Sequence, residues 1–221
     1  MTKDIFSNFL NEVKSKSLRP LSSLKSKFKK IGIVGSGLMG HGIAYVSSYY
    51  GFKVVLIDNS KENVLTALSK IEKIFKTDIK QNLFSNSQME KCLENIKVST
   101  DVSDLKGCDL VIEAVYEDTA LKRDVTIAAE KIMESSGVFS SNTSTIPISN
   151  LAAVSVRPEN FIGIHFFSPV HKMKLVEIIK NDKTSSNTLA RTLDFINAIK
   201  KIPIVVNDGP GFFTTRVFMK Y

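Results

Sequence analysis

His165 and Glu177 are polar residues inside two apolar runs, FIGIHFF (161–167) and KLVEII (174–179), that are typical of buried β-strands. A buried carboxylate without a partner is costly, so Glu177 needs one. The short connection SPVHKM predicts an antiparallel pair, since a parallel crossover needs more residues. If the turn centres on His171, His165 lies opposite Glu177, with Cβ atoms about 4.5–5.5 Å apart. A carboxylate that orients an imidazole is typical of a general base, and a core histidine with satisfied nitrogens is the alternative.

A glycine turn precedes this pair in the chain. GSGLMG (35–40) follows the β-branched strand IGIV (31–34) and opens a helix, as a dinucleotide-binding fingerprint requires. The first glycine permits a tight turn, the second lets backbone approach a pyrophosphate, and the third lets helix and strand pack closely. A packing turn is the alternative. The predicted cofactor-binding residues of this turn are Gly35, Gly37, Leu38, Met39 and Gly40.

Asp58 ends the second predicted strand, VVLID (54–58), and lies 18 residues beyond Gly40. A carboxylate at this position accepts hydrogen bonds from the ribose hydroxyls of an adenosine and repels a 2′-phosphate. The sequence therefore predicts NAD rather than NADP as the cofactor. An acid that merely ends a strand in a turn is the alternative for Asp58.

Strand and helix signals alternate along the chain, and the strands are almost continuously apolar. This pattern predicts an α/β fold, a Rossmann-like doubly wound and mostly parallel sheet with an antiparallel strand pair near the end. One long helix is predicted over 61–82. The expected divisions are a basic amphipathic leader or linker (1–30), the dinucleotide-binding domain (31–207), and the start of a truncated helical domain (208–221).

The net charge of +8 is concentrated in the leader. Residues 1–30 hold eight basic residues against Asp4 and Glu12, a net of +6, which leaves about +2 for the other 191 residues. The globular part therefore gives no reason to expect a nucleic-acid partner. The leader itself fits a transit peptide, a helix with a linker, or the remnant of a fusion. No apolar run approaches the roughly 20 residues of a membrane helix, and no metal site is predicted.

Five segments in order resemble the L-3-hydroxyacyl-CoA dehydrogenase family, most of all the dehydrogenase part of multifunctional fatty-acid oxidation alpha subunits. They are GSGLMGHGIA, VIEAVYED, SNTSTIPISNLA, RPENFIGIHFFSPVHKMKLVEII and DGPGFFTTR, and the resemblance spans residues 30–221. It implies NAD-dependent oxidation of a (3S)-3-hydroxyacyl-CoA to the 3-oxoacyl-CoA in fatty-acid β-oxidation, with an acyl-CoA as the substrate.

The resemblance also implies roles for particular residues. His165 matches the base, Glu177 its orienting partner, and Ser144 the serine that hydrogen-bonds the reacting oxygen of the substrate. Without the resemblance, Ser144 is a helix cap or turn residue and Lys122 a solvated helix lysine. Many members of the family have asparagine where this chain has Ser168 and Thr215, the expected substrate contacts. The other residues implied at the cofactor site are Glu117, Lys122 and Asn142.

In the family, a helical domain that mediates dimerisation and closes over the acyl-CoA follows this part of the chain. Only its first turns are expected here, so a non-catalytic NAD-binding fragment is the alternative function. A homodimer, or association with a hydratase or thiolase partner, is expected if the helical domain is supplied. The resemblance implies a cytoplasmic location, with the mitochondrial matrix as the alternative. A different nicotinamide enzyme is disfavoured by SNTS and by the segment from His165 to Glu177.

Overall fold

A computed structural model describes Arg19, Pro20 and residues 27–218, in which strands and helices alternate. Most of the predicted leader lies outside these residues; of its described part, Arg19 forms a two-point ion pair with Asp194, at 2.8 and 3.0 Å. The elements in chain order are β1 (Lys30–Val34), α1 (Leu38–Tyr49), β2 (Lys53–Ile57), α2 (Lys61–Lys80), α3 (Asn86–Glu94), β3 (Ile96–Ser99), β4 (Leu110–Glu113), α4 (Thr119–Glu130), β5 (Val138–Ser141), α5 (Ile148–Ala152), β6 (Phe161–Phe166), β7 (Leu175–Lys180), α6 (Ser186–Ala198), β8 (Ile202–Asn207) and α7 (Thr214–Phe218).

The eight strands form one sheet in the order β3-β2-β1-β4-β5-β6-β7-β8. Strands β1 to β6 are parallel, β7 is antiparallel to β6, and β8 is parallel to β7. Because β1 lies between β2 and β4, the direction of the crossovers reverses there, and a crevice opens outside the carboxyl ends of these strands. The predicted doubly wound sheet with its antiparallel pair is confirmed.

Both faces of the sheet are buried, which explains the continuous apolar strands. Leu110 and Ile112 of β4 face one core cluster with α1 and α6, whereas Val111 faces a second cluster with α4 and α5. Side chains alternate in this way because successive residues of a strand point to opposite faces. A polar side chain at the end of a strand is consequently held between a helix layer and the sheet edge.

The helix predicted over 61–82 is present but ends two residues earlier, and the helix that follows it, α3, was not predicted. Helix α2 ends at Lys80, and Asn82 adopts a left-handed conformation with φ of 56°. Ser85 then begins α3 with a capping box, in which its side chain accepts from the Gln88 amide and the Gln88 side chain accepts from the Ser85 amide. The S-x-x-Q pattern at 85–88 is the sequence signal for this second helix.

None of the helices in residues 27–218 is long and apolar enough to cross a membrane. Within the same part of the chain, no three histidine, cysteine or acidic side chains come together as a metal ion would require.

Candidate active site

The β6–β7 pairing places His165 directly opposite Glu177. His165 Nδ1 lies 2.7 Å from Glu177 Oε2, and the two residues are 5% and 0% exposed. The cross-strand partner predicted from the length of the connection is therefore present. Because an ionised carboxylate only accepts hydrogen bonds, Nδ1 carries the hydrogen and Nε2 is left with a free lone pair.

The other oxygen of Glu177 is held by Thr214. The backbone amide of Thr214 donates to Oε1 at 2.7 Å, and its hydroxyl donates to the same oxygen at 2.8 Å. Burial raises the pKa of Glu177, but hydrogen bonds from His165 and Thr214 outweigh it and leave the pKa below its usual value. Glu177 is thus an ionised partner for His165. Thr214 was not predicted from the sequence, in which the neighbouring Thr215 is the expected substrate contact.

Two aromatic rings surround the His165 imidazole. The Phe167 ring centroid lies 4.6 Å away and that of Phe212 lies 6.0 Å away. In the described part of the chain, no group hydrogen-bonds Nε2. The arrangement presents one acceptor nitrogen in an apolar surround, and this nitrogen can take a proton from a hydroxyl group.

The glycine turn has the geometry that the fingerprint requires. Gly35 has a φ of 100°, and its amide donates to Ile57 at the end of β2 at 2.8 Å. A Cβ atom on Gly40 would lie 1.8 Å from the Gly35 carbonyl oxygen, so α1 can approach the turn only without that atom. A Cβ atom on Gly37 would meet nothing within 4 Å. The space in front of Gly37 fits a pyrophosphate that approaches the backbone.

A cleft of about 700 Å³ opens in front of this turn, at the carboxyl ends of β1, β2 and β4. A volume of this order suits a bound cofactor. Leu38 is 67% exposed here, which an occupant of the cleft would reduce. Residues from several elements line the cleft, among them Gly35, Gly37, Leu38, Met39, Asp58, Asn59, Val102, Tyr116 and Leu121.

Asp58 lies in the wall of this cleft, at the end of β2. Its Oδ2 accepts from the amide and the hydroxyl of Ser36, at 2.9 and 2.8 Å, and its Oδ1 accepts from Asn63 at 2.9 Å. Burial raises the pKa of Asp58, but hydrogen bonds from Asn63, Ser36 and Ser60 leave it below the usual value. The ionised carboxylate gives the cleft a negative charge where a ribose would bind. Sequence reasoning missed Ser36 and Asn63.

Lys122 is buried, with 1% of its surface exposed, and is not the solvated helix lysine suggested by its residue type. Its ammonium group pairs with Glu113 at 2.8 Å and with Glu117 at 3.2 Å. Glu113 is fully buried and also accepts from the Ser141 hydroxyl at 2.6 Å. Neither Lys122 nor Glu117 is among the residues that line the cleft, and their implied place at the cofactor site stays a prediction. Glu117, which pairs with Lys122, also accepts hydrogen bonds from the loop that follows β5.

That loop, residues 142–145, is fixed from both sides. Glu117 Oε1 accepts from the Thr143 hydroxyl at 2.6 Å and from the Ser144 amide at 2.9 Å. Burial raises the pKa of Glu117, but the Thr143 hydrogen bond and the charge of Lys122 bring it below its usual value. Asn142 is buried and accepts through Oδ1 from the Phe166 amide at 2.9 Å, which joins the loop to the end of β6.

The remaining predicted residues occupy the same edge of the sheet. Ser144 is exposed on the loop after β5 and does not cap a helix, because α5 begins at Ile148. Ser168 is exposed after β6 and precedes a cis proline. Thr215 is half-buried in α7, and it is not among the groups that bond Glu177. The structure thus brings His165 and Glu177 into contact, whereas Ser144, Ser168 and Thr215 form no hydrogen bond with either of them in the described residues.

The sheet order, the glycine turn and the acid at the end of β2 together define a dinucleotide-binding domain of the Rossmann type.

Residues 30–209 match the family model described as "3-hydroxyacyl-CoA dehydrogenase, NAD binding domain". The chain belongs to this family, and NAD is the cofactor of the matched domain. The open space at Gly37 and the ionised Asp58 fit that cofactor.

Solved structures support the same assignment. This chain is 37% identical to the (S)-3-hydroxybutyryl-CoA dehydrogenase PaaH1 of Ralstonia eutropha, over 87% of this chain and 68% of that one, with a TM-score of 0.85. FadB2 of M. tuberculosis is 30% identical, over 89% and 70%, with a TM-score of 0.86. The dehydrogenase part of multifunctional enzyme 1 from C. elegans is 28% identical, over 89% and 48%, with a TM-score of 0.77.

The two later glycines of the turn should respond differently to alanine. Gly40→Ala places Cβ against the Gly35 carbonyl and should cost at least roughly 2 kcal/mol of unfolding free energy. Gly37→Ala should leave stability within about 0.5 kcal/mol but weaken NADH binding by about tenfold or more, because Cβ enters the pyrophosphate space. Urea unfolding and NADH fluorescence titration measure the two effects. Equal stability losses in the two variants would contradict this assignment.

Lys122→Met should lower the free energy of unfolding by about 3–5 kcal/mol, because two buried or half-buried carboxylates lose their shared cation. Lys131→Met is the matched control, since Lys131 is exposed at the end of α4 and should tolerate the change. Urea unfolding of both variants tests the prediction. A loss at position 122 no larger than that at position 131 would show that the network is not stabilising.

Proposed function

We propose that this chain catalyses the NAD-dependent oxidation of a (3S)-3-hydroxyacyl-CoA to the 3-oxoacyl-CoA, as a step of fatty-acid β-oxidation. His165 acts as the general base and Glu177 orients it. The observation that carries the proposal is the buried His165–Glu177 contact of 2.7 Å, which leaves Nε2 without a partner in the described residues.

The reaction needs a base for the substrate hydroxyl and an acceptor for the hydride. NAD supplies the hydride acceptor when it is bound. Nε2 of His165 accepts the hydroxyl proton, and the ionised Glu177 stabilises the imidazolium that results. Burial of the pair excludes water, which strengthens this electrostatic interaction.

The loop after β5 supplies further groups for substrate and cofactor. We assign Ser144 to the reacting oxygen of the substrate, because its exposed side chain lies on the loop that Asn142 joins to the end of β6. Glu117 and Lys122 hold this loop in place through the Thr143 and Ser144 contacts, so their role at the cofactor site is indirect. Asn142 is assigned to the cofactor side of the same loop.

Ser168 and Thr215 are assigned to the substrate side of the cleft. Ser168 lies just beyond His165 in the chain, and its exposed hydroxyl can donate a hydrogen bond to the thioester end of an acyl-CoA. Thr215 lies one residue beyond the group that holds Glu177. We place the cofactor-binding domain at residues 31–207 and the start of a second domain at 208–221. The similarity to PaaH1 of Ralstonia eutropha, an (S)-3-hydroxybutyryl-CoA dehydrogenase, supports an acyl-CoA substrate.

His165→Gln should reduce turnover of acetoacetyl-CoA with NADH by at least about a hundredfold, because the group that exchanges the proton is removed. NADH binding should stay within about twofold, since His165 lies outside the residues of the cofactor cleft. Absorbance of NADH at fixed protein concentration follows the reaction, and fluorescence titration follows binding.

His171→Gln is the matched control for this substitution. His171 lies in the same β6–β7 connection, and its ring packs edge-on against Tyr45 at 5.9 Å. Its turnover should stay within about twofold of the unaltered chain. NADH binding without turnover in the unaltered chain would support the non-catalytic alternative. Equal rates in the His165 variant and the unaltered chain would exclude His165 as the base.

A further inference from the structure

The segment between β8 and α7 packs against the His165–Glu177 pair from outside the sheet. Two successive residues adopt the left-handed conformation there, Gly211 with φ of 68° and Phe212 with φ of 48°. The Phe212 side chain is buried and faces the His165 ring. A phenylalanine at positive φ is sterically unfavourable and persists only where its surroundings hold it, most often at functional sites.

The same segment is anchored at its other end. The Asp208 carboxylate accepts from the amides of Ile148 and Ser149, at 2.7 and 2.8 Å, in the first turn of α5. The Gly211 amide donates to the Thr145 carbonyl at 3.3 Å. These contacts fix the direction in which the chain leaves the sheet, and that direction brings Thr214 onto Glu177.

Thr214 gives Glu177 two donors on one oxygen while His165 occupies the other oxygen. The Thr214 amide would be present with any residue except proline, whereas the hydroxyl donor at 2.8 Å depends on the side chain. A carboxylate fixed at both oxygens keeps one orientation and keeps its charge. Valine has nearly the same shape as threonine but cannot donate.

From this geometry we infer that the Thr214 hydroxyl is a positioning group for the reaction, which holds Glu177 so that His165 presents Nε2 to the substrate. The inference rests on the proposed function, in which His165 is the base. In the described part of the chain, the Thr214 hydroxyl donates to Glu177 and forms no hydrogen bond with His165, and Thr214 is not among the residues that line the cleft.

Few charged groups surround Glu177. On β6 the facing group is His165, and on β8 the paired residue is the apolar Ile204. In the segment that follows β8, Asp208 is turned toward α5 and Arg216 is exposed. A change in the donors to Glu177 should therefore appear in the pKa of Glu177, which its hydrogen bonds hold below the usual value.

Thr214→Val should lower kcat for acetoacetyl-CoA reduction by about threefold to tenfold, with KM values within about twofold, because the lost donor touches no substrate. The pH at which the rate falls on the acid side of the pH–rate profile should rise by about half to one unit. Loss of the hydroxyl donor raises the pKa of Glu177, so its carboxylate is protonated at a higher pH. Thr214→Ser keeps the hydroxyl and should restore kcat and the pH–rate profile of the unaltered chain. Thr66→Val, an exposed threonine on α2, is the control for loss of a hydroxyl elsewhere.

An unfolding cycle tests the same contact without turnover. Thr214→Val should destabilise the chain at pH 7, and this loss should largely disappear in a Glu177→Gln background, where the charged acceptor is absent. Because the folded-state pKa of Glu177 is depressed, the contribution is complete above its unfolded value and declines as the pH falls through the folded value. The difference between Thr214→Val and the unaltered chain should shrink accordingly in acid.

The possible outcomes distinguish the proposed function from the positioning role of Thr214. An unaltered chain that binds NADH but shows no turnover would refute the proposed function, and the unfolding cycle would then still report on the contact. Turnover with an unchanged kcat and pH profile in Thr214→Val would overturn the positioning role. Equal effects of Thr214→Ser and Thr214→Val would also overturn it, because they would assign the effect to packing of the methyl group.

Discussion

The buried ammonium group of Lys122 is the interaction on which the cofactor side of the sheet depends. A lone cation at 1% exposure would be costly, and the carboxylates of Glu113 and Glu117 offset that cost while Lys122 offsets theirs. Glu113 belongs to the end of β4, and Glu117 belongs to the turn that leads into α4. The three charges therefore hold strand, helix and loop in one arrangement, and each partner requires the other two.

A series of hydrogen bonds extends from this network to the end of β6, next to His165. Glu117 accepts hydrogen bonds from Thr143 and Ser144 of the loop after β5. Asn142 of the same loop accepts a hydrogen bond from the amide of Phe166, the residue after His165. On the far side of His165, Glu177 is held by a segment that is itself tied to α5 through Asp208. The candidate base is thus supported by backbone and side-chain contacts from both of its neighbours in the sheet, which keeps its ring in one position.

The sequence predicted the parts of this site that follow from periodicity and strand geometry. Two apolar strands, the alternation of side chains along each strand and a short connection were enough to pair His165 with Glu177, since these features are local. The burial of Lys122 was not predictable from α4 alone, because its partners come from the end of β4 and from the turn before the helix. The contact of Thr214 with Glu177 depends on two left-handed residues, and no periodicity encodes the direction that they give the chain. Helix α3 was not predicted although it had a local signal, the Ser85–Gln88 capping box.

The antiparallel turn between β6 and β7 has a consequence for how this region can vary among related chains. Glu177 faces His165 because the two residues are paired in the β6–β7 register, and a one-residue slip of β7 against β6 would turn Glu177 to the opposite face. Natural insertions and deletions should therefore concentrate in the 167–174 connection, which can change length while the strand register is kept, whereas the strands should accept them only with a compensating bulge. A single-residue insertion between Val176 and Glu177 would reverse the faces of the residues on one side of it, so the packing of Val176 in the core and the His165–Glu177 contact could not both be kept.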